Sequence, residues 1–235
     1  MAPDEVTIDD LYAYHDARKA PVRANREITV LGKIYRYAIR WRATTKNPTI
    51  GFIFAEEKER ERNVTGSERR RFAANYCPDW MRGYLALKFF SGRRQGEMLK
   101  LTTFSEKPNG ITFTLLKKRK QVTATVLWSP RLRRVWEWLK ALPRPDNCPY
   151  IFYSHRGKTR GKQLSQRGFK SAWQRAQAQW IKDGNEAFWE HDIRAASATA
   201  SRTIEEARER LQHESKATTR GYMRGPINTK VKPLR

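Results

Sequence analysis

Residues 111–128 read ITFTLLKKRKQVTATVLW. Ile111 to Leu116 and Val122 to Trp128 are rich in β-branched residues that alternate by two, the period of a strand with one buried face. The polar KKRKQ between them is short enough to be a turn. The stretch predicts a β-hairpin with lysines and an arginine at its tip. Its flanks carry a different period. GSERRRFAANY and DWMRGYLALKFFSG upstream, and RLRRVWEWLKAL and SQRGFKSAWQRAQAQW downstream, repeat apolar residues at helical spacing. YIFYS, residues 150–154, reads as a short buried strand. From His191 onward the pattern predicts three short helices. The fold class is therefore mainly α with a small antiparallel β-sheet, an α+β arrangement.

The front of the chain is helical as well. Thr7 is placed to cap TIDDLYAYHDARK, with acidic residues in its first turn. In RANREITVLGKIYRYAIRW, residues Ile28, Leu31, Ile34, Tyr35 and Ile39 share a face. The proline of KNP, residues 46–48, is expected to end that helix, because a residue before proline avoids the helical region. Residues 55–71, AEEKERERNVTGSERRR, hold almost no large apolar side chain, and the first half reads as an exposed linker. Two domains are expected, residues 1–60 with the linker and residues 61–235.

Lys and Arg number 48 against 24 Asp and Glu, a formal charge of +24. That excess predicts a polyanionic partner, with nucleic acid first. No apolar run is long enough to span a bilayer, and MAPDEVTIDD lacks the apolar core of a signal peptide. Cys77 and Cys148 have no CxxC partner or histidine at metal spacing. The expectation is a metal-free, cofactor-free, cytoplasmic protein with no membrane partner. Trp136, Trp138, Trp173, Trp180 and Trp189 are assigned to the core or its edge.

Three clusters can carry chemistry. In SGRRQGEMLKL, residues 91–101, a glycine ends one helix and Arg93 or Arg94 opens the next element, where arginines grip an anion. In HDIRAASAT, His191 and Arg194 are three apart and share a helix face. In LQHESKATTRGYMRG, residues 211–225, a short helix would stack Thr218, Thr219 and Tyr222 on one side, with His213 just before it. The sequence shows neither a carboxylate cluster for Mg²⁺ nor a phosphate-binding loop for ATP. Arginines that balance the charge of a pentavalent phosphorus, together with a side-chain nucleophile, suffice to break a phosphodiester without metal. Tyrosine, with an unperturbed pKa of about 10, is a modest nucleophile and a good leaving group on reversal.

These residues resemble the tyrosine recombinase (phage integrase) family. Its first arginine box, roughly T-G-x-R-x-x-E, is matched by residues 91–97, which selects Arg94 and makes Glu97 its supporting acid. The H-x-x-R box is matched by His191 to Arg194. The L-G-H box appears as Leu211-Gln212-His213, with glutamine for the usual glycine, and Tyr222 follows nine residues later. The family's lysine lies on a β-hairpin, where Lys117 has the best register and Lys118 and Lys120 are alternatives. The match covers roughly residues 66–225 with its boxes in order. The segment between Arg194 and His213 is shorter than usual in the family. The first 60 residues resemble the latter half of the family's helical core-binding (SAM-like) domain, which implies a chain shortened at its front.

The resemblance implies site-specific cutting and rejoining of double-stranded DNA at an attachment site, through a 3′-phosphotyrosyl link on Tyr222. Arg94, Arg194 and His213 would hold the phosphate, Lys117 would protonate the leaving oxygen, and His191 would help accept the tyrosine proton. It further implies a homotetramer on DNA, an accessory DNA-bending or directionality protein, a phage or prophage setting, and a bacterial, nucleoid-associated location. The competing expectations are topoisomerase IB-like relaxation, a non-catalytic DNA-binding prophage remnant, and a basic RNA-binding protein.

Overall fold

The computed structural model describes residues 2–57, 62–117 and 120–224, without the side chains of residues 116, 117, 120 and 121. The chain divides into two units, Met1–Arg60 and Glu61–Arg235.

In the first unit, α1 (Ile8–Ala17) and α2 (Pro21–Arg40) pack against each other. Thr7 caps α1 reciprocally: its hydroxyl accepts from the Asp10 amide, and its own amide donates to the Asp10 carboxylate. Leu11, Ile28 and Phe52 form a small core, with Tyr12 stacked on Phe52. Helix α2 stops earlier than the proline of KNP predicts. Arg42 adopts a left-handed φ of 59°, and Ala43 and Arg42 donate back to Ala38 and Ile39. This is a Schellman closure, which satisfies the last carbonyls before proline is reached.

The second unit is built on α4 (Asp79–Ser91), which packs on α6 (Pro130–Ala141) and on α8 (Glu190–Thr199). Gly83 permits the close approach to α6, since a Cβ there would meet Leu139 Cδ2 at 2.4 Å. Helix α3 (Gly66–Tyr76) packs on α4 and on α7 (Gln166–Lys182). Phe72, Tyr84, Trp136, Phe169, Trp173, Trp180 and Phe188 form an aromatic-rich core. Trp189, expected at the core or its edge, is instead 57% exposed. As the residue just before α8 it has only its backbone in the helix cap, where its amide donates to Asp192.

Strands β1 (Glu106–Lys107), β2 (Gly110–Lys117) and β3 (Lys120–Leu127) form one antiparallel sheet in that order. The pairing runs from Gly110 with Leu127 to Lys117 with Lys120, so the predicted hairpin is present. Ile111, Phe113 and Leu115 alternate into the core. Lys118 lies outside the described residues, as do the side chains of Lys117 and Lys120. YIFYS does not form a strand. Its Ile151, Phe152 and Tyr153 are buried, but the chain pairs only through isolated bridges, Thr102 with Tyr150 and Tyr153 with Gln163. The linker reading fails at its end. Arg62 is only 13% exposed and is held by Glu68 and Glu186.

Three short helices close the unit: α8, α9 (Ile204–Leu211) and α10 (Lys216–Arg220). The alanines and serine of α8, buried from Ala195 to Ala198, let α4 and α9 approach it closely.

Candidate functional site

Gly92 ends α4 with φ +65°, and the turn it makes delivers two arginines to opposite environments. Arg93 is 2% exposed and donates to the Arg210 carbonyl. Arg94 begins α5 (Gln95–Met98), its side chain is 52% exposed, and it pairs with Glu97 at 3.3 Å. Of the two arginines left open by the residue pattern, only Arg94 lines a cleft of about 850 Å³ together with Glu97, Lys100, His213 and Thr218.

Arg194 lies one turn into α8 and is wholly buried. It donates through Nη1 to the Gly92 carbonyl and through Nη2 to the Leu211 carbonyl at 2.8 Å and to His213 Nε2 at 3.0 Å. Its Nε has no hydrogen-bond partner among the described residues. Burial, followed by the charge of Arg94, pushes Arg194 down to about 10, still protonated at neutral pH. Anionic charge placed between Arg94 and Arg194 would offset both effects.

His213 owes its direction to the end of α9. Gln212 takes a left-handed φ of 53°, and the amides of Gln212 and His213 donate back to Glu209 and Arg208. This is a Schellman turn with glutamine at its left-handed position. Since Nε2 accepts from Arg194, Nδ1 carries the proton and donates to Thr219 Oγ1 at 3.2 Å, which donates in turn to the Ser215 carbonyl. His213 therefore orients Arg194 as well as facing the cleft.

The expected stacking of Thr218, Thr219 and Tyr222 on one helix side is not what forms. Helix α10 stops at Arg220, so Tyr222 sits in the turn beyond it. Thr218 faces Ser215 at the cleft, while Thr219 is buried against His213. The turn brings Tyr222 onto the other predicted residues. Its hydroxyl is 2.8 Å from His191 Nε2, its ring centroid is 4.8 Å from that of His213, and the Arg194 guanidinium carbon lies 5.6 Å from it. His191 keeps an exposed edge, but partial burial and then the Lys88 ammonium hold its pKa below the ordinary histidine value. The neutral ring is thus the form present at neutral pH.

The structure brings Arg94, Glu97, His191, Arg194, His213 and Tyr222 together from positions as far as 128 apart in the chain. Sequence reasoning missed Lys88 and Glu190, a buried pair beside this group, and Arg224, which pairs with Asp192 at 2.8 Å. A lone lysine in the apolar run YLALKFF, residues 84–90, was the available signal for Lys88.

The model of the phage integrase family matches residues 62–226. The chain belongs to the phage integrase family. Its fold is that of the family's catalytic domain. A crystal structure of a lambda integrase tetramer bound to a Holliday junction superposes with a TM-score of 0.75 at 18% identity, covering 98% of this chain and 68% of that one. A lambda integrase dimer bound to a COC′ core site gives 0.73 at 18% identity, covering 99% and 68%. The Tn1549 transposon integrase in complex with circular intermediate DNA gives 0.72 at 14% identity, covering 95% and 82%. No curated protein matches the chain in sequence. No described helix is long and apolar enough to cross a membrane.

Proposed function

We propose that the chain is a site-specific DNA recombinase that cuts and rejoins strands with Tyr222 as nucleophile. The observation that carries this reading is the Tyr222 hydroxyl at 2.8 Å from a neutral His191 nitrogen, with its ring against Arg194 and His213. A hydroxyl so placed has an acceptor for its proton and cations for the charge of the phosphorane it would form.

Tyr222 Oη attacks the scissile phosphorus while its proton passes to His191. Arg94, open to solvent at the cleft, binds non-bridging oxygens with its planar fork. Arg194, oriented by His213 and two carbonyls, neutralises the same group from beneath. The 5′ oxygen leaves and takes a proton from a hairpin lysine, a role that the family resemblance gives to Lys117, with Lys118 and Lys120 as alternatives. The 3′-phosphotyrosyl bond retains the bond energy, so attack by a 5′ hydroxyl rejoins a strand and releases Tyr222 without ATP.

The net charge of +24 fits double-stranded DNA as the partner. By analogy with the DNA-bound dimer and tetramer of lambda integrase, the working unit would be a homotetramer on an attachment site, in a phage or prophage setting, in the bacterial cytoplasm. Residues 1–60 would act as a core-binding domain.

The test is a nicked suicide substrate carrying the native attachment site. Wild-type protein is expected to form a covalent DNA adduct. Tyr222→Phe is expected to form none while DNA binding largely persists. An undiminished adduct in the variant would sink the assignment. Relaxation of supercoiled plasmid without site preference would favour topoisomerase-like action instead.

A further inference from the structure

Lys88 is fully buried on the face of α4 that meets α8. An ammonium in such a place costs several kcal/mol unless its protons and charge are matched. Its charge and two of its protons are matched here. Nζ pairs with Glu190 Oε1 at 2.5 Å and donates to the Arg93 carbonyl at 3.0 Å. The Tyr84 hydroxyl donates to the same Glu190 oxygen.

The identity of the partners gives this cluster its meaning. Arg93 immediately precedes Arg94, and Glu190 immediately precedes His191. A single ammonium thus joins the backbone ahead of the phosphate-facing arginine to the side chain ahead of the imidazole that meets Tyr222. Apolar side chains in place of both Lys88 and Glu190 would fill the space without the desolvation cost, and replacing a whole buried pair in this way is often neutral or stabilising. Stability alone therefore does not account for a lysine here.

We propose that Lys88 is a positioning residue of the cleavage site, which through Glu190 and the Arg93 carbonyl sets His191 against Arg94 and places a fixed charge beside the imidazole. The proposal rests on the assignment of Tyr222 and His191 to strand cleavage.

The charged and titratable groups facing His191 are few. Lys88 acts on it through its charge from α4. Glu190, Asp192 and Arg194 act from its own helix. The Tyr222 hydroxyl comes from beyond α10, and Arg167 and Lys170 of α7 line the pocket that His191 shares. Lys88 disfavours the protonated imidazole and Glu190 favours it. Removing one or the other should therefore act with different sign, which a purely structural pair would not do.

The experiment is an NMR titration of the His191 ring in the full chain, with the single-turnover cleavage rate measured on the same samples. Lys88→Met is expected to move the His191 midpoint up by roughly half a unit or more. Glu190→Gln, which keeps the shape of the side chain, is expected to lower it or leave it in place. Both variants are expected to slow strand cleavage at least tenfold with DNA affinity changed less than twofold. An unmoved or lowered midpoint in Lys88→Met, a raised one in Glu190→Gln, or wild-type cleavage in Lys88→Met would overturn the proposal. Should Lys88→Met not fold, Glu190→Gln alone decides by a raised midpoint or wild-type cleavage. A wild-type protein that forms no adduct would count against the cleavage reading, while the titration still reports the coupling of Lys88 to His191.

Discussion

Arg224 Nη1 and Asp192 Oδ1 form a 2.8 Å ion pair that ties the chain two residues past Tyr222 to the helix carrying His191 and Arg194. The Arg224 side chain is 11% exposed and that of Asp192 2%, so the pair is shielded from solvent screening. The Arg224 guanidinium also donates to the Arg62 carbonyl, and its amide donates to Thr199 Oγ1 at 3.0 Å. The segment carrying Tyr222, the proposed nucleophile, is thereby anchored on its C-terminal side, as Thr219 and His213 hold it on the other. Arg224→Met is expected to loosen it by about 3 kcal/mol. Hydrogen exchange should quicken across residues 216–224, and cleavage should slow with DNA affinity nearly kept. Unchanged exchange in that segment would remove the anchor from the mechanism.

Gln212 occupies a left-handed position that costs a side-chain-bearing residue about 1–2 kcal/mol relative to glycine's freedom there. Gln212→Gly should raise stability by about 1 kcal/mol, read as a higher Tm. Gln212→Val should lower it, because a β-branched residue tolerates this φ least. A Tm that falls for glycine would mean that the glutamine side chain contributes more than the backbone loses.

The pH dependence of cleavage follows from His191. In the proposed mechanism its neutral form takes the Tyr222 proton, and burial followed by the Lys88 charge lowers its pKa. Activity is therefore held at neutral pH and falls only as pH drops through a value below the usual histidine figure of about 6.5. The single-turnover rate against pH should show an acid limb there. His191→Asn should lower the plateau and flatten the limb. An acid limb above the usual histidine value would contradict the burial argument.

Glu68 predicts the acid stability of the second unit. Its hydrogen bond from Arg62, then those from Thr65, hold its pKa at about 2, below the ordinary glutamate value of 4.5. A depressed carboxylate contributes stability that is full above 4.5 and is lost as pH falls from there toward 2. With the carboxylate side chain 22% exposed, the contribution is about 2 kcal/mol at neutral pH. Glu68→Gln should lower neutral stability by that order and make urea unfolding less pH-dependent below pH 4.5. Parallel pH profiles for the two proteins would show that the pair contributes nothing to folding.

Much of the molecule was legible in the residues because local physics decides it. The period of two in residues 111–128 reports a half-buried hairpin, and the period of helices reports buried stripes, whatever their final partners. Arg94, His191, Arg194, His213 and Tyr222 were singled out by resemblance to the family's ordered boxes rather than by local periodicity. YIFYS misled because burial and apolar character do not distinguish a strand from an extended segment that pairs at single residues. The end of α2 misled because a left-handed residue closed the helix before proline could.

Tertiary structure decided the rest. Which of Arg93 and Arg94 meets solvent depends on the direction in which the Gly92 turn leaves α4, and on the Arg210 carbonyl waiting for Arg93. That His213 orients Arg194 follows from a left-handed Gln212 seen only in the folded turn. The pairing of Lys88 with Glu190 joins residues 102 positions apart. Periodicity is a property of neighbours along the chain, so sequence alone reveals it. Charge pairing and burial are properties of neighbours in space, and only the packing of α4 against α8 brings those together.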